Sequence, residues 1–240
     1  MDAVIRYSEE LGVTVRFQSP VRAVRRRGDR LAVEFEADGR ATSLDADFVL
    51  NAAGRVPSIA ELALDRAGVA SDARGVVVDD FLRSSSNRDV FAAGDAHGRL
   101  QLSPVASYEG RVVARNLLEG DVERVDYAAV PKVLWTVPPL ASVGLTEPDA
   151  RARTLDVSVA TSDMAGWKVY AIHGDPIARA KVIVDRSSGR ILGAHLYGQA
   201  AGENIQLFAL AMRFGITADD LRRTVYGYPT LASAVPHTLG

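Results

Sequence analysis

The sequence predicts a mixed fold, an α/β portion followed by an α+β portion whose antiparallel sheet carries helices. Three observations predict it. Segments of period-two alternation follow one short helix in the first fifty or so residues. A short apolar strand, residues 90–93, ends in Gly94-Asp95 and is soon followed by Ser103-Pro104, the opening of a helix. Beyond residue 124, two strands joined by a Gly-containing hairpin loop lead into helices with recognisable starts and stops.

Residues 3–11 place Val4, Tyr7 and Leu11 on one helical face, with Gly12 as the stop. Val13, Val15 and Phe17 alternate as a strand. Leu31, Val33 and Phe35 do the same, and the Ala37-Asp38-Gly39 turn joins them to a partner strand over 41–44. Arg25-Arg26-Arg27 precedes Gly28-Asp29 in a hairpin and reads as a solvated turn, not a nucleic-acid patch. The apolar run 47–53 suits a strand buried on both faces, leaving through Gly54-Arg55-Val56-Pro57.

In the helix after Pro104, Ala106, Gly110, Val113 and Leu117 form a stripe that would allow close backbone approach at Gly110. Residues 118–124 are a polar connector. A strand over 130–136 is broken by Pro138-Pro139, and Ser142 to Thr146 follows. Thr146 with Asp149, and Pro148 in the first turn, is a helix start resembling a capping box. Strands 178–184 and 190–196 flank the loop 185–189. Ile205, Phe208, Ala209 and Met212 form a helical stripe ending at Gly215, with Leu207, Leu210 and Ala211 on adjoining faces. Thr217 with Asp220 starts the next helix.

A chain of 240 residues with 48% hydrophobic composition can bury one large core or two small ones. A net charge of −2 offers no electrostatic reason to expect a nucleic acid or an anionic membrane as partner. No segment approaches a membrane span, and the acidic, amphipathic N-terminus is unlike a signal peptide, so a cytoplasmic protein is expected. The absence of cysteine excludes disulfides, thiolate zinc sites and a dithiol relay within these residues. His97, His173 and His195 show no metal-ligand spacing, and no metal is expected. His97 is expected to be a solvent-exposed loop residue and His195 a packed or interface residue.

A strand-end acid facing polyol hydroxyls, beside a helix N-terminus facing an electron-rich ring, is a way to hold a flavin. The run Asn87-Arg88-Asp89-Val90-Phe91-Ala92-Ala93-Gly94-Asp95, followed by Leu102-Ser103-Pro104, resembles the second FAD-binding motif of the pyridine nucleotide-disulfide oxidoreductases, the family of glutathione reductase, dihydrolipoamide dehydrogenase and mercuric reductase. Ala52-Ala53-Gly54-Arg55-Val56-Pro57-Ser58 is similar to the exit of the family's nicotinamide domain, with its usual Thr and Asn replaced. Val143-Gly144-Leu145-Thr146-Glu147, Ser188 to His195 and Tyr228-Pro229-Thr230 resemble its C-terminal interface domain.

The resemblance implies three parts: 1–56 as the second half of the NAD(P)-binding domain, 57–123 completing the FAD domain, and 124–240 as an α+β dimerisation domain. It implies FAD and NAD(P)H as cofactors and a homodimer as the assembly. The implied cofactor-binding residues are Gly94, Asp95, Leu102, Ser103, Pro104 and Ala106, with Gly54 and Arg55. Asp95 would accept a hydrogen bond from a ribityl hydroxyl, and amides near Leu102 and Ser103 would face the pyrimidine edge of the ring. No Gly-x-Gly-x-x-Gly is present, so the chain is expected to correspond to the C-terminal half of such an enzyme and to be inactive by itself.

The family's His-Pro-Thr-x-x-Glu segment aligns with Tyr228-Pro229-Thr230-Leu231-Ala232-Ser233, so neither member of the acid–base pair is retained. A phenol with pKa near ~10 is a poor proton shuttle at neutral pH. The expected function is hydride transfer from NAD(P)H through flavin to an unidentified acceptor, a small molecule or a thiol/disulfide. The alternative is a non-catalytic dimerisation module that no longer binds cofactor.

Overall fold

Alternation and charge build the first unit of the computed structural model, which describes residues 2–240 and divides between Arg55 and Val56. Helix α1 (Asp2–Glu10) forms and stops at Gly12, whose φ of +85° suits the missing Cβ. Strands β1 (Val21–Arg27), β2 (Arg30–Ala37) and β3 (Arg40–Ala46) make an antiparallel sheet in that order. Ala32 and Phe35 of β2 are buried. Exposed ion pairs lace the strands together: Arg22–Glu36 at 2.7 Å, Arg25–Glu34 at 3.0 Å and Arg27–Asp45 at 3.4 Å. The arginine cluster is therefore the end of a strand, not the turn itself. Each such pair contributes at most about 1 kcal/mol.

Two expected strands of this unit do not form. Residues 13–17 belong to no strand, and neither do residues 47–53, where Phe48 is 92% and Leu50 91% exposed. An apolar run becomes a buried strand only when a neighbouring strand pairs with its backbone and a layer covers it. Among the described residues no strand pairs with either segment.

The second unit begins with short 3₁₀ turns, Ala60–Leu62 and Leu64–Ala67, and a small hairpin, β4 (Ser71–Asp72) with β5 (Gly75–Val76), over a cluster of Val69, Val76 and Ala92. The strand expected at 90–93 shrinks to a single bridge, Phe91 to Arg83, flanked by hydrogen bonds from the Ser84 amide to the Val90 carbonyl and from the Ala92 amide to the Leu82 carbonyl. Helix α2 (Ser103–Glu119) follows, with a buried face that differs from the expected stripe. Val105, Glu109, Val112 and Asn116 face inward, whereas Gly110 is open and Leu117 is exposed. Hydrogen bonding explains the shift. The Asn116 Oδ1 accepts from the amides of Val122 and Glu123, and its Nδ2 donates to the carbonyls of Phe81 and Glu123, which ties down the 118–124 connector.

The rest is an antiparallel five-stranded sheet with helices. Strands β6 (Lys132–Leu134), β7 (Leu140–Gly144), β8 (Val157–Asp163), β9 (Arg179–Asp185) and β10 (Ile191–Tyr197) lie in the order β6-β7-β10-β9-β8. Gly193 allows β10 to pass Leu145, since a Cβ there would fall 2.0 Å from the Leu145 carbonyl oxygen. Helices α3 (Glu147–Ala152) and α6 (Ala218–Arg223) both start with complete capping boxes, Thr146 with Asp149 and Thr217 with Asp220. Neither β8 nor the short helix α4 (Lys168–Ile172) was expected. Helix α5 (Ala201–Phe214) packs on β7 and β10 through Ile205, Phe208 and Ala209, and Ala211 belongs to this buried face as well. A 3₁₀ segment, Leu231–Leu239, closes the chain over the same core. Among the described residues no helix is long and apolar enough to cross a membrane.

Candidate flavin-facing site

Gly94 opens a 3₁₀ turn, Gly94–Ala96, with φ of +61°. A Cβ added there would lie 2.9 Å from the Ala106 Cβ, so the turn packs directly on the start of α2. Glycine is required for both reasons. The turn presents Asp95, half-buried, beside the beginning of that helix. Leu102 precedes α2 in an extended conformation and, as an apolar N-cap residue, offers the helix no side-chain cap of its own; Pro104 sits in the first turn, and no acidic residue does. The first amides therefore carry partial positive charge. Gly94, Asp95, Leu102, Ser103, Pro104 and Ala106 thus belong to one turn and one helix start. Gly54 and Arg55 lie in an exposed loop at the end of the first unit.

Beneath this arrangement is a polar cluster that the sequence reading missed. Glu109 is fully buried on the inner face of α2. Its Oε2 accepts the Gly94 amide at 2.6 Å and His97 Nε2 at 2.9 Å, while Oε1 accepts the Tyr127 hydroxyl at 2.7 Å. Burial works to push the Glu109 carboxyl up. The bonds from His97, Tyr127 and Gly94 outweigh it and hold the group below the usual carboxylate range. Burial, then the neighbouring Glu109 carboxylate, pushes the Tyr127 phenol up.

His97 is therefore not the solvent-exposed loop residue expected; it is 8% exposed, because the turn rolls its ring under the chain toward Glu109. The signal available in the sequence was a glutamate between Val105 and Val112, at helical spacing on the same face. Arg99 lies over the Tyr127 ring at 4.4 Å, and a cavity of about 440 Å³ lined by His97, Arg99, Tyr127 and Asp79 adjoins the cluster.

The other candidates resolve locally. Tyr228 is exposed and precedes a cis proline. Ser233 Oγ donates to the Thr230 carbonyl at 2.6 Å, and the Ser233 amide donates to Thr230 Oγ1, so Ser233 serves the cap of the 231–239 segment. His195 Nε2 is 3.0 Å from the Leu145 carbonyl oxygen, and His237 meets the Trp167 ring edge-on. Among the described residues no group of three or more His, Cys, Asp or Glu is placed to hold a metal.

This fold is shared with known proteins. The family model described as pyridine nucleotide-disulphide oxidoreductase matches residues 1–110, and that of the same family's dimerisation domain matches residues 130–239. The chain is 38% identical over 178 residues to an uncharacterized 19.7 kDa protein of the mercuric resistance operon of Staphylococcus aureus, covering 73% of this chain and 99% of that one. It is 35% identical to dihydrolipoyl dehydrogenase of Mycobacterium tuberculosis over 95% of this chain and 49% of that one. It is 32% identical to mercuric reductase of Bacillus cereus over 98% of this chain and 37% of that one. Among solved structures, the HOCl-induced flavoprotein disulfide reductase RclA of Escherichia coli superposes with a TM-score of 0.86 at 26% identity, over 99% of this chain and 54% of that one.

The chain belongs to the pyridine nucleotide-disulphide oxidoreductase family, a family of flavoproteins that use nicotinamide nucleotides. It spans about half the length of the dihydrolipoyl dehydrogenases it matches.

Proposed function

We propose that this chain forms the ring-facing side of the flavin site in a homodimeric, FAD- and NAD(P)H-dependent oxidoreductase. The observation that carries the reading is the Asp95 turn packed, through Gly94 and Ala106, onto a helix start whose N-cap residue is the apolar Leu102 and whose first turn holds no acid. These residues fit a flavin's ribityl chain and pyrimidine edge. Bound flavin would supply hydride-transfer chemistry between NAD(P)H and an acceptor, either a small molecule or a thiol/disulfide. Asp95 would accept a hydrogen bond from a ribityl hydroxyl. The Leu102 and Ser103 amides and the α2 dipole would stabilise negative charge at the pyrimidine edge. Gly54 and Arg55 mark the exit of a nicotinamide portion, 1–56, ahead of an FAD-domain portion, 57–123, and a dimerisation portion, 124–240.

Tyr228 and Ser233 supply no thiol-reductase proton exchange. A phenol is a poor substitute for an imidazole as a proton carrier at neutral pH, and Ser233 is engaged with Thr230. The compartment proposed is the cytoplasm.

Titration of the ¹⁵N-labelled chain with millimolar FAD tests the reading. Amide shifts should concentrate at Gly94, Asp95, Leu102 and Ser103, with weak affinity, because no Gly-x-Gly-x-x-Gly amide cradle holds the pyrophosphate. The second reading is a dimerisation module that no longer binds cofactor. A titration with no shift at those four amides would count for it and against the first.

A further inference from the structure

We propose that Glu109 is a positioning residue of this site, its buried carboxylate clamping the Asp95 turn to α2 through the Gly94 amide and the His97 ring. The inference rests on the flavin reading above and adds what holds that site in shape. Gly94 and His97 bracket Asp95, one residue before it and two after, and both donate to the same oxygen, Oε2. The other oxygen is taken by the Tyr127 hydroxyl, which fixes the plane of the carboxylate. Between the turn and the helix the chain is irregular, so the loop itself gives no fixed separation between Asp95 and the Leu102–Ser103 amides. Glu109, one and a half turns along the same helix, supplies it.

Burial alone does not account for the residue. A valine would continue the face made by Val105 and Val112 at lower desolvation cost. A carboxylate is useful there only for the groups it holds. A site that must offer an acid and a helix N-terminus at one spacing depends on such support beneath the contacting residues.

The test uses the full chain, ¹⁵N-labelled, as wild type, Glu109→Gln, Glu109→Ala and Tyr127→Phe. Two quantities are read: hydrogen exchange at the Gly94 amide, and FAD affinity from the shifts at Asp95, Leu102 and Ser103. Glu109→Ala should speed Gly94 exchange roughly 10- to 100-fold, the loss of one charge-assisted hydrogen bond, and weaken FAD about tenfold on the same basis, while amides later in α2 stay protected. Glu109→Gln keeps an acceptor for Gly94 and should recover most of both losses, which a residue serving only as core would not show. Should Glu109→Ala fail to fold, Tyr127→Phe, which frees one side of the carboxylate, should speed Gly94 exchange by a smaller factor. Unchanged Gly94 exchange in Glu109→Ala, or in Tyr127→Phe if the alanine variant is unfolded, overturns the clamp while FAD shifts at Asp95 leave the flavin reading standing. Gly94 exchange that responds as expected, with no FAD shift even in wild type, overturns instead the flavin reading and the site Glu109 is said to serve.

Discussion

Glu109 occupies a position where the pattern of α2 asks for an apolar residue, and its ionisation is tied to the fold. Its folded pKa is held below the unfolded value, near ~4.3 for a free glutamate, so the ionised group stabilises the protein above that value. The contribution is lost as pH falls through the lowered folded pKa. Glu109→Gln does not titrate. The stability gap between the two proteins, measured by urea unfolding, should be larger at pH 7 than at pH 3; a gap constant with pH would refute the ionic role. Asp185 and Asp220 obey the same sign on the surface. Hydrogen bonds from Ser187 and Ser188, and from Thr217, bring each down to about 2. Carboxyl-carbon NMR titration should find both midpoints near that value, with their stabilising effect fully present above the ordinary ~3.9 and lost as pH falls from there through about 2. Gly94 faces a steric demand instead. Gly94→Ala should cost about 1–3 kcal/mol, and adding Ala106→Gly should recover only part, because the positive φ stays strained. Full recovery in a thermal melt would show that the turn relaxes freely.

At the level of elements, what was legible was whatever local chemistry decides. The Thr146–Asp149 and Thr217–Asp220 signatures both became complete capping boxes because each needs only four consecutive residues. Thr146→Ala and Thr217→Ala should each cost about 1 kcal/mol and add in the double variant, since the two caps share no partner; clear non-additivity in denaturant unfolding would mean the helices are coupled. The hairpin of β9 and β10 was equally plain. β8 was not, since its small and hydroxylated residues, VSVATSD, carry little apolar contrast. The run 47–53 erred the other way, its apolarity promising a buried strand that only a pairing neighbour could make. The site divides along the same line. Gly94-Asp95 and Ser103-Pro104 could be read as a turn and a helix start. The inward turn of His97 could not, because its partner lies twelve positions along the chain.

For the molecule as a whole, α5 is the informative element. Its inner face packs on the sheet, yet Leu210 is 51% and Phe214 73% exposed, and Leu207 beside them is half-buried. Two large apolar residues, Leu210 and Phe214, left exposed at i and i+4 on a helix whose inner face is buried call for a second partner, and a copy of the same chain is the commonest one. The dimerisation-domain match over residues 130–239 points the same way. Sedimentation at micromolar concentration should give a dimer for wild type and a monomer for Leu210→Glu with Phe214→Glu. A monodisperse wild-type monomer would mean the stripe serves no such contact.

By itself the sequence carried the resemblance to the family, the β9–β10 hairpin, the capped starts of α3 and α6 and the turn that delivers Asp95. The hairpin, the caps and the turn are set by periodicity, by glycine and proline geometry or by short-range capping, and all act within a few residues. Only the tertiary structure decided which face of α2 is buried, that His97 and Tyr127 meet at Glu109, and that residues 13–17 and 47–53 form no strand. Those outcomes depend on groups distant in the chain. A buried carboxylate or a strand is stable only when its hydrogen-bonding partners are brought to it, and no local pattern records whether they are.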